Sequence, residues 1–228
     1  NALKEKGRRE EAVKSYQRAL ELNPNYDNAY INLYIFLKEV IFTAPNKSMQ
    51  TIIESLLNKD TLASPYNLSK AAISLLSFEP VLSHNKEETP FQRFKKTPNL
   101  VISQLSELSL LLNLMSVTPI DDISIELLLK GIRAHILSTI LKSTEVEIPL
   151  KFQEALAIQC FINEYIYDVT VQEEHELRRL ENSVKLSLSS GEEPLQHILL
   201  CLASYRSLSE YKWVNDLNIN SVISSIVE

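Results

Sequence analysis

The residues best equipped for chemistry fall in one stretch, FINEYIYDVTVQEEHE, residues 161–176. It brings Asn163, Glu164, Asp168, Glu173 and Glu174 close together in the chain, and paired carboxylates can divide acid and base work between them. Two have a structural reason to be there. Glu173 follows Thr170 by three residues, the spacing of a capping box, and Asp168 falls where a turn between two helices favours it. Glu164 is left over: a carboxylate on a segment that is otherwise nearly all apolar. It either lies at the edge of the apolar surface or is a buried charge, with Arg206 as candidate partner, because an unpaired buried carboxylate costs several kcal/mol. A structural role is favoured over binding, and an enzyme built on this chain alone would rest on Glu164 and its neighbours.

His197 and Cys201 are four residues apart, share a helix face and could supply two positions around a metal. No C-x-x-C or second His–Cys pair supplies the rest, and a core thiol beside a half-buried imidazole explains them better. Gln92-Arg93-Phe94-Lys95-Lys96 is a basic run with an aromatic. In an acidic chain it reads as a solvated loop rather than a phosphate-binding surface. No G-x-S-x-G elbow surrounds any serine.

Composition narrows the classes further. The 228 residues are 45% hydrophobic and 23% charged, with a formal net charge of -6, which describes a globular chain unsuited to general nucleic-acid binding. Glycine occurs three times, at Gly7, Gly131 and Gly191, each isolated. Phosphate-cradling loops and sheet-rich folds both need more. Cys160 and Cys201 stand in apolar surroundings and read as reduced thiols of a cytoplasmic protein. The longest uncharged run, 108–120, is too short to span a bilayer, which takes about 20 residues, so no membrane partner is expected.

The elements that must position these residues read as helices throughout. Apolar residues at Met49, Ile52, Ile53, Leu56 and Leu57 repeat with helical period over 47–58. Ser64-Pro65 opens a helix to about Phe78, and Thr97-Pro98 opens one to about Met115. Asp121 or Asp122 starts a helix to about Lys142, whose internal Gly131 suggests a close helix crossing. Pro149 opens a helix through Tyr167 that is apolar nearly all round and belongs at the centre of a bundle. Thr170 starts a charged outer helix that Gly191 ends. Pro194 opens another to about Ser204, and a last helix is expected from Asn218 or Asn220. Residues 79–97, charged and with several prolines nearby, read as an exposed linker.

Residues 1–24, NALKEKGRREEAVKSYQRALELNP, resemble a tetratricopeptide repeat, with small residues at Ala12 and Ala19, an aromatic at Tyr16 and a closing Pro24. On that pattern helix A occupies about 1–6, Gly7 makes the turn and helix B occupies 9–22. A second helix A begins near Asn28, with Tyr30 and Leu33 at the repeat's aromatic and leucine positions. The expected organisation is all-α: repeat helices over 1–44, a helical extension over 45–78, the linker over 79–97 and a multi-helix bundle over 98–228. The missing initiator Met and the opening inside a helix pattern suggest a segment of a longer chain.

Three further strings, DISIELLLKGIRAHIL (122–137), ALAIQCFINEYIYDVTVQEEHELRRL (155–180) and ILLCLASYRSLSEYKW (198–213), resemble the helical middle region of bacterial proteins. Those proteins join tetratricopeptide repeats to an S-adenosylmethionine-dependent methyltransferase domain. The resemblance implies protein or peptide binding on the helical-repeat surface and a catalytic domain in cis beyond residue 228. It implies S-adenosylmethionine as cofactor of the parent protein, and no cofactor or catalytic residue in this chain. Within the resembling strings, Glu164, Tyr165, Tyr167, Tyr205, Arg206 and Trp213 are the candidate binding or structural-polar positions.

Overall fold

A computed structural model describes residues 2–59, 62–85, 88–142 and 147–217, with the side chains of the first ten residues left aside. The described chain is all-α, with eleven α-helices and two 3-10 turns and no strand among the described residues. It divides into two compact units, residues 1–83 and 84–228.

The first unit has four helices: α1 (Ala2–Leu22), α2 (Asp27–Leu37), α3 (Lys47–Leu57) and α4 (Pro65–Leu76). The two helices expected around Gly7 are one, because α1 runs unbroken through that residue. A glycine inside a helix costs only about 1 kcal/mol relative to alanine, so without a left-handed cap it does not end one. α2 packs against α1, α3 and α4 and buries Ala29, Tyr30, Leu33 and Leu37. Asn46 caps α3, its side chain accepting from the Met49 N–H at 3.0 Å. All five apolar residues of the α3 pattern are buried.

Residues 79–97 are not simply an exposed linker. Val81 and Leu82 are buried, and Pro90–Lys96 forms helix α5, opened by a Thr89–Gln92 capping box. The basic run lies on it. Arg93 and Lys96 pair with Glu88 at 3.3 and 2.8 Å, Lys95 covers the Phe91 ring at 4.6 Å, and Phe94 is buried. The capping box and the buried aromatic make a helix of a stretch whose charge suggested solvent.

The helix expected over 98–115 is two, α6 (Pro98–Ser106) and α7 (Ser109–Val117), bent by 82°. No single described helix is long and apolar enough to cross a membrane. α8 (Ile123–Ile140) starts at Asp122, whose carboxylate accepts from the Ser124 and Ile125 N–H groups, both at 3.0 Å. The close crossing expected at Gly131 is the one with α5: a Cβ there would meet Phe91 Cε2 at 2.5 Å.

α9 (Leu150–Ile162) is the central helix, packed by α6, α7 and α11 (Gln196–Ala203). The buried Gln159 amide, oriented with its nitrogen towards Met115 O (3.0 Å) and Thr118 O (3.1 Å), accepts from the Ile120 N–H at 3.1 Å. This ties α9 to the exit of α7. α9 stops five residues short of Tyr167.

α10 (Val171–Ser189) carries the Thr170–Glu173 capping box and packs on α8 and α11. It ends at Gly191, φ 76°, with the Glu192 N–H donating to Ser187 O (2.9 Å) and the Gly191 N–H to Leu188 O (3.1 Å), a Schellman closure. Nothing lies within 4 Å of a Cβ built on Gly191. Gly191→Ala is therefore expected to cost only the left-handed backbone penalty, about 1 kcal/mol, as a lower urea midpoint with unchanged slope. Two 3-10 turns, Leu208–Glu210 and Lys212–Asp216, follow α11. The helix expected from Asn218 lies outside the described residues.

Candidate functional site

A buried cation organises the second unit. Arg133 lies on the apolar stripe of α8 with Leu129, Ile132 and Ile136, and is 0% exposed. A guanidinium stays protonated under all ordinary conditions, so its charge must be met inside the protein. Nη2 donates to Asp168 O at 3.0 Å and Tyr167 O at 3.4 Å. The guanidinium carbon lies 4.1 Å from the Tyr205 ring centroid and 5.4 Å from that of Tyr167. Two aromatic faces and two carbonyls thus surround it, an arrangement that suits a planar, weakly hydrated cation. Among the described residues, Nε and Nη1 have no hydrogen-bond partner, and neither has the buried Asn163 amide.

The countercharge comes from Glu173, 7% exposed. Its carboxylate accepts from Thr170 N–H (2.8 Å), Thr170 Oγ1 (2.7 Å) and Tyr205 Oη (2.8 Å). Burial by itself raises its pKa, but these hydrogen bonds and the Arg133 charge outweigh burial and hold it below the ordinary 4.5. The folded state therefore binds fewer protons than the unfolded state as pH approaches that value. The stabilisation is present above 4.5 and is lost as pH falls through the lower folded pKa. Tyr205→Phe removes one donor to the carboxylate. It is expected to cost about 2 kcal/mol at neutral pH and to move the acid limb of a stability–pH curve upward, both read by urea unfolding from pH 3 to 7 (a range of about 4 units, set by the carboxylate pKa).

The other ionisable groups here hold one state near neutrality. Burial pushes the Cys160 thiol up to about 12, against the opposing pull of Arg133. Burial raises Cys201, Tyr167 and Tyr205 further. The arrangement clamps the α9–α10 connection to α8 and α11; it offers no proton acceptor at neutral pH among these groups.

The positions singled out from sequence divide into three groups. Tyr167 and Tyr205 stack on Arg133. Arg206 and Trp213 belong to an adjacent stack: Arg206 lies over Tyr211 at 5.6 Å and Tyr211 meets Trp213 at 4.8 Å between centroids. Glu164 and Tyr165 lie outside both, in the turn that closes α9, at φ 56° each. The Tyr165 N–H donates to Cys160 O (2.8 Å) and the Glu164 N–H to Phe161 O (3.0 Å), the closure glycine makes after α10. Glu164 is thus exposed rather than a buried charge, and its proposed partner Arg206 faces Glu174 instead, at 3.7 Å. Helix end and chain reversal, not pairing, decide its place.

His197 Nδ1 lies 2.6 Å from Gln153 Nε2, and no three His, Cys, Asp or Glu side chains converge among the described residues in a metal-holding group. Arg133 was the residue that carboxylate-centred reading passed over. Its signal was present: a guanidinium at i+4 from Leu129 and i−3 from Ile136, in phase with the buried stripe.

Residues 1–33, spanning α1 and α2 as far as Leu33, match the family model for the TPR repeat. No curated protein and no solved structure matches the chain. The match covers a helical stretch ahead of helices that continue in the same all-α class, and TPR repeats generally mediate protein–protein interactions.

Proposed function

We propose that this chain is the non-catalytic, substrate-presenting region of a tetratricopeptide-repeat protein whose methyltransferase domain lies in cis. The observation that carries the reading is the TPR match over 1–33, followed by an all-helical region that bears the three resembling strings, the repeat coming first as in that family. On α2, Ile31 and Ile35 are exposed, one helical turn apart, and offer apolar contacts to an extended peptide. The helices hold the acceptor protein while S-adenosylmethionine binds to the catalytic domain.

Calorimetric titration of the intact parent protein with S-adenosylmethionine tests this. Heat of binding is expected from the parent and none from the isolated 228 residues. A parent silent towards the cofactor sinks the methyltransferase reading and leaves an interaction scaffold with no attached enzyme, the reading to which the TPR repeat alone leads. Heat from the isolated residues overturns their non-catalytic role. Ile35→Asp should weaken acceptor capture by the parent while leaving cofactor binding unchanged.

A further inference from the structure

The outward face of α10 separates charge in a way that the helix's own stability does not call for. Its inner side buries Glu173, Leu177, Leu180 and Val184. The opposite side carries Val171, His175, Arg178, Arg179, Lys185 and Leu186, all exposed. Steps of three, four and seven residues place these on one stripe. No carboxylate lies on it, although α10 holds four: Glu173, Glu174, Glu176 and Glu181. Glu173 faces the core, and the other three sit on the flanks, each already engaged. Glu174 faces Arg206 at 3.7 Å, Glu176 accepts from Gln172 at 2.8 Å and Glu181 holds Lys185 at 2.6 Å.

Arg178 and Arg179 are left over. Neither side chain makes an ion pair or a hydrogen bond among the described residues. Glu174 stands four residues before Arg178 and Glu176 three before Arg179, spacings at which a helix ordinarily gains from an ion pair. Both carboxylates turn elsewhere. Two adjacent guanidiniums are thereby open to solvent in a chain of net charge -6. They lie between Val171, 89% exposed, and Leu186, 71% exposed, which stand about 22 Å apart along the helix.

We propose that this stripe is a docking surface for an acidic helical segment of a partner protein. The partner's Asp or Glu carboxylates meet Arg178 and Arg179, whose planar forks suit paired hydrogen bonds to a carboxylate. Its apolar side chains cover Val171 and Leu186. Charge and spacing select this occupant. A second copy of the chain laid on the same face sets arginine against arginine. A nucleic-acid backbone needs a longer run of cations than two free arginines, and neither apolar residue favours it. A helix that lies on a membrane needs a continuous apolar face, and here cations separate the two apolar residues. The inference stands apart from the methyltransferase reading, since it concerns only this helix's own surface.

The test uses the full chain and a fluorescein-labelled helical peptide of glutamate and leucine, about 16 residues long to reach from Val171 to Leu186. Anisotropy is read at ~0.1 M salt, where the Debye length of about 10 Å screens the chain's distant carboxylates but not contacting pairs. Saturable binding is expected. Arg178→Gln with Arg179→Gln should weaken it about tenfold, and Val171→Ser with Leu186→Ser about threefold. Lys95→Gln with Lys151→Gln removes the same charge from α5 and α9, whereas α10 packs on α8 and α11. This control should change binding less than about twofold. Arg178→Glu with Arg179→Glu should reject the peptide and bind its counterpart with lysine in place of glutamate. Circular dichroism confirms that each variant, changed only at exposed or half-buried positions, is folded. Absence of saturable binding, equal weakening by the control pair, or indifference to the arginine changes overturns the proposal. So does tighter binding of a single-stranded oligonucleotide or of phosphatidylserine vesicles through the same two arginines, or self-association that Leu186→Ser abolishes, since each names another occupant.

Discussion

Arg133→Ala is expected to lower the unfolding free energy by about 3–5 kcal/mol, read as a fall in the urea midpoint. Three losses combine. The truncation empties a fully buried position between the Tyr167 and Tyr205 rings. It leaves the Tyr167 and Asp168 carbonyls without the donor that fixes the α9–α10 connection. It also removes the cation that helps keep Glu173 ionised. Arg133→Met separates these effects. It keeps most of the volume and removes the cost of burying a charge, so the hydrogen bonds and the countercharge are what it loses. Replacing a buried ion by an apolar side chain of similar size is often close to neutral when no charge is stranded. Because Glu173 retains its Thr170 and Tyr205 donors, the Met variant should lose less than half of what the Ala variant loses. Equal losses would mean that the charge and the two carbonyl bonds, which both variants lose, hold the turn, and that the packed volume contributes little.

Gly131→Leu should cost about 3 kcal/mol by overpacking the crossing of α5 and α8. A Cβ there stands 2.5 Å from Phe91 Cε2 and 3.3 Å from Phe94 Cε1. Phe94 is buried and cannot move aside, whereas Phe91 is half-buried and its ring can swing out. Gly131→Ala is thus a contest. The helix gains about 1 kcal/mol from the removal of glycine and loses the Phe91 packing and its stacked contact with Phe94, centroids 6.2 Å apart. The double variant Gly131→Ala, Phe91→Ala decides it: the Ala at 131 should be more favourable in the Phe91→Ala background than in the natural one. Additive effects in that cycle would show that the two positions do not touch.

Local signals in the sequence determined most of the helices. Asn46, Asp122 and Thr170 each accept a backbone N–H at a helix start, because a short side-chain oxygen satisfies donors that no preceding turn can reach. Gly191 ends α10 for the complementary reason. Helical periodicity alone marked the buried face of α3, and the near-continuous apolar character of α9 marked it as central. These features depend on residues within one or two turns, so composition and spacing suffice to read them.

Tertiary structure decided the remainder. Gly7 lies within one long helix although a turn was expected there. α9 closes at Ile162 on two left-handed residues that carry no glycine to announce them. That closure set Glu164 at the exposed edge, one of the two places its sequence context left open, and delivered the Tyr167 and Asp168 carbonyls to Arg133, 34 and 35 residues away in the chain. Tyr205 reaches both Arg133 and Glu173 only because α8, α10 and α11 pack together. A buried guanidinium is stable only where acceptors, aromatic faces and a countercharge from separate helices meet, and that meeting is a property of packing rather than of any local pattern.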